Sequence, residues 1–425
     1  MLSDQDRAVL HHFHAHGTPA ESRRAQIVLM HAEGTPTADI AAAVALSKSR
    51  VRYWTRAWLQ RGTAIFPDQT GIDGRSSTDS AAAQSETEAV AEPVEALPTP
   101  GVDMPRLPLE MRETVGMSPE DPMAEAGRKA LFFHFERMLY NEPISRRGED
   151  IEGVHDMRVA TRRMRSALRL FGPFFDEKAI DPFRKELRLI ADALGAVRDL
   201  DVFKEKAEHF MAAHPEADLT PLLDGWEQRY AKARRKLIAT LDKGRFDRFV
   251  KRFHEFLTTP GAGALPTETG NVAAFQVRHV APRLIYEHYE QVRAYEAVTD
   301  NAPIATLHAL RIDFKRLRYT LEFFEEVLGS EARQVINEIK IMQDHLGDLN
   351  DADVAETMLH EFVDHHNQKY SGTPLFMRPD ISGVLAYAAA KDEEKRRLLD
   401  AFSEAWANFN REEVRRKLAL AVSVL

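Results

Sequence analysis

The sequence contains no cysteine, which excludes disulfides and thiolate metal sites and fits a reducing compartment. Long apolar runs are missing too: the longest, from Ile40 to Leu46, is mostly alanine and far shorter than the ~20 residues of a membrane-spanning helix. The first residues lack the basic and apolar regions of a signal peptide. Because the net charge is −9, a polyanion would have to be bound by locally clustered positive charge. We therefore expect a cytoplasmic protein that does not bind membranes.

Aromatic residues are absent between Pro67 and Ser118, where Ser, Thr, Ala, Glu and Pro predominate. A segment of this composition cannot bury enough apolar surface to offset the entropy lost on ordering. We predict a flexible acidic linker at residues 67–118. It separates a small N-terminal module, residues 1–66, from a large helical module, residues 119–425.

The N-terminal module has the pattern of a helix-turn-helix. A short helix from Asp39 is followed by a second helix that Ser47 caps and whose Val51, Trp54 and Trp58 face inward. Residues 20–62 resemble the homeodomain-like helix-turn-helix of transposase-type proteins. If this module binds DNA, the second helix supplies the contacts. The candidates are Lys48, Ser49, Arg50, Arg52, Tyr53 and Arg56. A helical interaction or dimerisation module explains the same pattern equally well.

The large module contains a row of basic residues on one helix face, and the row occurs twice. Basic stripe 1 consists of His155, Arg158, Arg162, Arg165 and Arg169. Basic stripe 2, about 153 residues later, consists of His308, Arg311, Lys315 and Arg318. Steps of three and four residues place each set on one side of an α-helix, beside an apolar face. Like charges at this spacing repel each other, so we expect an anionic ligand to complete each stripe.

A second matching block follows each stripe. Residues Leu194–Val202 match residues Leu346–Val354 at an offset of 152. Two blocks that recur in the same order indicate a duplicated unit of about 150 residues. Each unit has enough helical pattern for about four helices. We predict an all-α fold of two pseudo-symmetric four-helix bundles, with the repeats at residues 119–262 and 268–425.

The two copies of His-x-x-Arg-x-x-x-(Arg/Lys)-Arg-x-Arg, each followed by Leu-Gly-x-x-x-Asp-x-Asp-Val, strongly resemble the CHAD domain, the conserved histidine α-helical domain. The resemblance covers the whole large module. It implies that the two bundles enclose a basic central pore and that the ligand is inorganic polyphosphate. It also implies association with polyphosphate granules. The residues alone indicate only two basic stripes that require an anion.

Further basic residues extend the predicted binding site. Arg188 and Lys340 occupy equivalent positions in the helix after each stripe. A second tier consists of Arg163, Arg316, Arg184, Lys185, Arg198, Lys395, Arg396 and Arg397. Arg163 and Arg316 lie about 100° from the stripes and could equally pair with acidic residues.

We predict no catalytic residue, no cofactor and no metal site. The four histidines between His11 and His16 scatter around a helix. The pairs Asp199/Asp201 and Asp351/Asp353 could hold Mg²⁺, but we interpret them as caps of a following helix. Two alternatives to polyphosphate capture stay open. One is a Mg²⁺-dependent phosphohydrolase or phosphotransferase that uses a stripe histidine, and the other is a binder of nucleic-acid backbones.

Overall fold

The computed structural model describes residues 2–16, 19–44, 51, 54–55, 58, 111–148, 151–242, 244–266, 275–298 and 302–425. The chain divides into two compact units, residues 1–101 and 102–425. The described residues form helices and no β-strand, which confirms the all-α prediction. None of the helices in these ranges is both long and apolar enough to cross a membrane.

The N-terminal unit contains helices α1 (Asp4–His16), α2 (Pro19–Ala32) and α3 (Thr37–Ala43). Gly34 adopts a φ of +81°, which lets the chain turn after α2. Leu10, Ile27 and Ile40 are fully buried and form the core of this unit.

The inward-facing residues of the predicted second helix join that core. Val51 and Trp54 are buried, and Trp58 packs against the same cluster, as predicted. The guanidinium of Arg24 lies 4.1 Å from the centre of the Trp54 ring. The six residues predicted to contact DNA, Lys48, Ser49, Arg50, Arg52, Tyr53 and Arg56, lie outside the described residues. Most of the predicted linker, residues 67–110, also lies outside them.

The first described residues of the large unit, 111–118, lie at the end of the predicted linker. Met117 is buried in the core of this unit. The Glu326 carboxylate accepts hydrogen bonds from the backbone N–H groups of Val115, Gly116 and Met117. This segment is therefore anchored to the second half of the large unit.

Both halves of the large unit present their helices in a similar order. The first half has α4 (Met123–Arg147), α5 (Ile151–Leu170), α6 (Glu177–Ala213), α7 (Thr220–Leu223), α8 (Trp226–Asp242) and α9 (Gly244–Thr258). The second half has α10 (Val277–Arg293), α11 (Ile304–Phe324), α12 (Ala332–Lys369), α13 (Ser382–Asp400), α14 (Phe402–Phe409) and α15 (Glu412–Val422). The longest helix of each half, α6 or α12, follows the helix that carries a stripe. Most buried apolar residues of both halves form one core cluster, and a second, smaller cluster joins the C-terminal parts of α6 and α12 with α7 and α13. Pseudo-symmetry between two separate bundles stays a prediction.

The two stripe-bearing helices, α5 and α11, pack against each other. Their apolar faces are buried, as Met164 on α5 and Phe314 on α11 show. The ring of Phe171, just after α5, lies edge-on to that of Phe324 at the end of α11, 5.7 Å away. Burial of the apolar faces therefore brings the two basic stripes into the same region of the fold.

The start of α5 is positioned by the end of α4. Gly148 follows α4 with a φ of +70°, and a Cβ at this position would clash with the Arg234 guanidinium. Arg234 donates hydrogen bonds to the carbonyl oxygens of Ser145 and Arg146, at 2.6 and 2.8 Å. A cation is favourable at a helix C-terminus, so Arg234 caps the end of α4.

The interpretation of the Asp-x-Asp pairs as helix caps is wrong. Asp199 and Asp201 lie inside α6, and Asp351 and Asp353 lie inside α12. Both helices run without a break through the preceding Leu-Gly. A Cβ on Gly195 would lie 3.9 Å from Nε of Arg158, an ordinary van der Waals distance, and nothing lies within 4 Å of a Cβ on Gly347, so close packing requires neither glycine.

We expect Phe171→Ala to destabilise the large unit by about 3–5 kcal/mol, because it empties a fully buried site between the stripe helices. Denaturant unfolding followed by circular dichroism measures the change. Leu189→Ala is the control, because Leu189 is 45% exposed and its truncation should cost roughly 1 kcal/mol or less. Equal effects of the two substitutions would contradict the packing described.

Candidate functional site

Five cations from the two stripes converge where α5 contacts α11. Arg162 on α5 interacts electrostatically with Arg158 and with Arg318 of α11. Lys315 on α11 is within electrostatic range of Arg311 and Arg318 on its own helix, and of Arg162 and Arg158 across the contact. The structure thus brings together residues that the sequence separates by about 150 positions.

These cations lie in a partly desolvated setting. Burial, followed by the charges of Arg311, Arg162, Arg318 and Arg158, lowers the pKa of Lys315 from 10.5 to about 8. Burial and the neighbouring arginines also lower the pKa of Arg162. Burial is the largest cause of both shifts, and the like charges of the neighbouring arginines add to it.

Glu322 and Tyr319 on α11 hold part of this cluster together, although neither was among the residues predicted from the sequence. The Glu322 carboxylate pairs with Arg163 of α5 and lies 3.8 Å from Nε of Arg318. The Tyr319 ring has Arg163 at 4.6 Å and Arg318 at 5.1 Å from its centre, which are cation–π distances. The four-residue spacing of Arg318 and Glu322 was a usable signal for this ion pair.

The histidines at the heads of the two stripes have different neighbours. Nδ1 of His308 lies 2.7 Å from Oδ1 of Asn350 on α12. Glu152, His155 and Asp156 each offer an atom within 4.8 Å of the others, so these three side chains could hold a divalent cation. Stripe 2 has Ala305 and Ala309 where stripe 1 has the two carboxylates.

The rest of stripe 1 continues into a cavity of about 500 Å³. Arg162, Arg165 and Arg169 of α5 line it together with Lys315 and Arg316 of α11. Burial, followed by Arg316 and Arg165, lowers the pKa of Arg169. The same-sign charge of the two stripes therefore extends along the contact between the helices.

Arg163 and Arg316, which lie beside the stripes, pair with acidic residues, which is one of the two roles predicted for them. Arg163 pairs with Glu322, and Arg316 donates to the Asp313 carboxylate at 2.7 Å. Arg316 nevertheless lines the cavity.

The predicted binding residues on α6 and α12 are exposed or contact neighbouring protein groups. Arg188 is exposed and lies 3.9 Å from Asp192, and Lys340 is exposed. Arg184 donates to the carbonyl of Leu168 at 3.0 Å, and Lys185 pairs with Asp181 at 2.7 Å. A role for them in ligand binding stays a prediction.

The remaining second-tier residues lie next to carboxylates. Arg198 lies within electrostatic range of Asp201, whose pKa burial raises to about 6. Lys395 bridges Asp353 and Glu356 at 2.6 and 2.7 Å. Arg396 pairs with Asp392 and Glu393, whereas Arg397 is exposed. Binding by these residues also stays a prediction.

The five converging cations of stripes 1 and 2 favour an anion with several oxygens. Among the described residues, the acidic groups beside its five cations are Glu322 and Asp199, the latter 4.0 Å from Arg158. Guanidinium groups donate paired hydrogen bonds that match phosphate or carboxylate oxygens. A linear polyanion could contact α5 and α11 at once.

Comparison with known protein families gives two matches. Residues 129–360 match the CHAD domain, and residues 18–66 match a homeodomain-like domain. The first match covers both stripes, whereas the second covers the predicted helix-turn-helix.

Similar proteins and structures were also found. Uncharacterized proteins of two Mycobacterium tuberculosis strains, H37Rv and CDC 1551, are each 28% identical in an alignment of 256 residues that covers 56% of this chain. The match covers only 45% of either relative. The crystal structure of the CHAD domain from the plant Ricinus communis has a TM-score of 0.48 and 24% identity, over 72% of this chain and 95% of that one. PptA from Streptomyces chartreusis has a TM-score of 0.49 and 15% identity, over 67% of this chain and 99% of that one.

The lowered pKa of Lys315 predicts a pH-dependent contribution to stability. Between pH 8 and 10.5 the unfolded lysine binds more protons than the folded one, so folding becomes more favourable as pH rises. Lys315→Met should therefore be more stable than the parent protein at pH 7, and its advantage should shrink by about pH 10. The free energy of unfolding at both pH values measures this. Lys340→Met is the control for loss of an exposed lysine. A pH-independent difference between Lys315→Met and the parent would contradict the desolvated setting.

Proposed function

The chain belongs to the CHAD domain family, since that match covers more than half of it, and on this premise we propose that it binds inorganic polyphosphate through basic stripes 1 and 2. The proposed site residues of stripe 1 are His155, Arg158, Arg162, Arg165 and Arg169. Those of stripe 2 are His308, Arg311, Lys315 and Arg318. Arg188 and Lys340 are proposed to extend the site.

The observation that carries this proposal is the convergence of five cations around Lys315. Arg158 and Arg162 approach it from α5, and Arg311 and Arg318 flank it on α11. A bound polyanion would supply the missing negative charge, so its binding removes repulsion as well as adding contacts.

Polyphosphate suits the arrangement because its charge is repeated along a slim, flexible chain. Successive phosphates can meet successive side chains along α5 and α11, whereas a nucleic-acid duplex about 20 Å wide presents its phosphates on two separated strands. The family match points to no catalytic activity, so we propose a binding role instead of a phosphohydrolase or phosphotransferase.

We expect long-chain polyphosphate to bind the full chain in a salt-sensitive manner, with log affinity falling linearly with log salt by analogy with counterion release. The double variant Arg158→Ala/Arg311→Ala removes one cation from each stripe. It should weaken binding by roughly 100-fold or more, because charge-assisted hydrogen bonds contribute about 1.5–3 kcal/mol each. Calorimetric titration at two salt concentrations measures both effects.

The matched control is Arg235→Ala/Arg252→Ala, which removes two exposed arginines from α8 and α9, outside the stripes. Its affinity should fall only slightly, through the change in net charge. Absence of binding by the folded parent protein would refute the proposal. An equal loss in both double variants would show that binding depends on overall charge and not on the stripes.

For the N-terminal unit we propose duplex DNA as the ligand. The support is the homeodomain-like match at residues 18–66 and the helical core that buries Val51 and Trp54. Helix-turn-helix proteins place the residues of the second helix in the major groove. On this basis Lys48, Ser49, Arg50, Arg52, Tyr53 and Arg56 are the proposed contacts.

Arg50→Ala/Arg52→Ala should weaken binding to a pool of random duplexes by roughly tenfold or more, since each lost phosphate or base contact costs about 1–3 kcal/mol. Fluorescence anisotropy of the labelled pool measures the change. Polyphosphate affinity of the same variant should be unaltered, which serves as the internal control. If neither the parent nor the variant binds duplex DNA, the alternative of a protein-interaction or dimerisation module is favoured.

A further inference from the structure

The cavity beside stripe 1 is lined in part by residues that do not belong to the proposed polyphosphate site. Arg165 and Arg169 of α5 and Lys315 and Arg316 of α11 make its basic side. Another part of the lining belongs to α10, which carries neither stripe and contributes Glu287, His288 and Gln291. At about 500 Å³ the cavity is in the usual range for small-molecule sites.

Part of the lining is apolar. Leu284 of α10 and Ile312 and Phe323 of α11 line the cavity with Leu170 and Pro173. Ile312 is 38% exposed, so apolar surface is available to a ligand. A fully ionised inorganic chain gains nothing from such surface, whereas an organic group does.

The hydrogen bonds around His288 indicate which of its ring nitrogens carries the proton and which can accept a hydrogen bond. The Thr320 hydroxyl donates to the carbonyl of Arg316 at 2.9 Å, so its one proton is used. The hydroxyl lies 2.8 Å from Nδ1 of His288 and must accept there, which places a proton on Nδ1. Burial lowers the pKa of His288 although the charge of Glu287 opposes the shift, and the lowered pKa favours the neutral ring. The other nitrogen, Nε2, is then a hydrogen-bond acceptor.

The α10 wall therefore contains two acceptors, the Glu287 carboxylate and the neutral His288. Ionised phosphate groups are acceptors too, so they satisfy neither of these two groups, whereas the Gln291 amide on the same helix both donates and accepts. Hydroxyl or amino groups of a ligand can satisfy Glu287 and His288. Tyr319 also lines the cavity, is only 7% exposed, and has a hydroxyl without a hydrogen-bond partner among the described residues.

We infer that this cavity binds a phosphate ester with an organic group that carries O–H or N–H donors, of the class of a nucleoside polyphosphate. Its phosphates lie against Arg165, Arg169 and Lys315, and its organic group lies against Glu287, His288 and the apolar lining. The inference rests on the proposed function in one respect, since the phosphates use cations of the same stripes.

Two probes of matched phosphate number separate this site from general anion binding. ATP and inorganic tripolyphosphate are each titrated into the full chain by calorimetry, without divalent cations and at one salt concentration. ATP should bind at least tenfold more tightly, because only ATP has an organic group. Equal affinities, or tighter binding of tripolyphosphate, would overturn the inference.

Two variants test the α10 wall and the apolar lining. Glu287→Ala removes a negative charge, so it should strengthen tripolyphosphate binding while reducing the preference for ATP severalfold. Ile312→Gln should weaken ATP binding severalfold and leave tripolyphosphate unchanged. Its control is Ile341→Gln, which alters an exposed isoleucine of α12 outside this cavity and should affect neither probe. A preference for ATP that survives both Glu287→Ala and Ile312→Gln would place the nucleotide elsewhere and overturn the inference.

Long-chain polyphosphate, titrated in parallel, keeps the two proposals distinguishable. If it binds and ATP shows no advantage over tripolyphosphate, the proposed function stands and the inference fails. If ATP is preferred and long-chain polyphosphate does not bind, the cavity assignment stands and the proposed function fails.

Discussion

The large unit depends on one conflict: the apolar faces that bury the core also force two rows of cations together. Phe171, just after α5, packs against Phe323 and Phe324 of α11, and the contact of the two helices brings Arg162 within range of Lys315 and Arg318. Hydrophobic burial is large and non-directional, whereas repulsion between partly solvated charges is smaller and can be offset. The fold therefore tolerates the cluster and leaves it short of negative charge.

The protein offsets part of that repulsion with residues on the stripe helices themselves. Glu322 sits between Arg163 and Arg318, and the Tyr319 ring presents its electron-rich face to the same guanidinium groups. These contacts tie α5 to α11 without neutralising Arg158, Arg311 or Lys315. Burial and, after it, the charges of the neighbouring arginines still lower the pKa of Lys315.

The two halves of the large unit are related in sequence but differ in chemistry. Carboxylates accompany His155, whereas His308 faces the amide of Asn350. Helix α10 lines the cavity with two hydrogen-bond acceptors, while stripe 1 contributes three arginines to the lining. A duplicated scaffold can thus hold one extended anion-binding surface and, at one end of it, a pocket of mixed polarity.

The sequence by itself determined the helical class, the repeated order of motifs and the basic stripes, because the three- and four-residue spacing of His155, Arg158 and Arg162 is a local property of one helix. It also identified the buried Val51 and Trp54 of the N-terminal unit. It misjudged Asp199 and Asp351, since a Leu-Gly pair is typical of a helix end, whereas α6 and α12 continue through it. Only the tertiary structure decided that the stripes converge, that Glu322 joins Arg163 to Arg318, and that Glu287 and His288 complete the cavity. Those relations join residues far apart in the chain, and they depend on how α5, α10 and α11 pack, which no local spacing records.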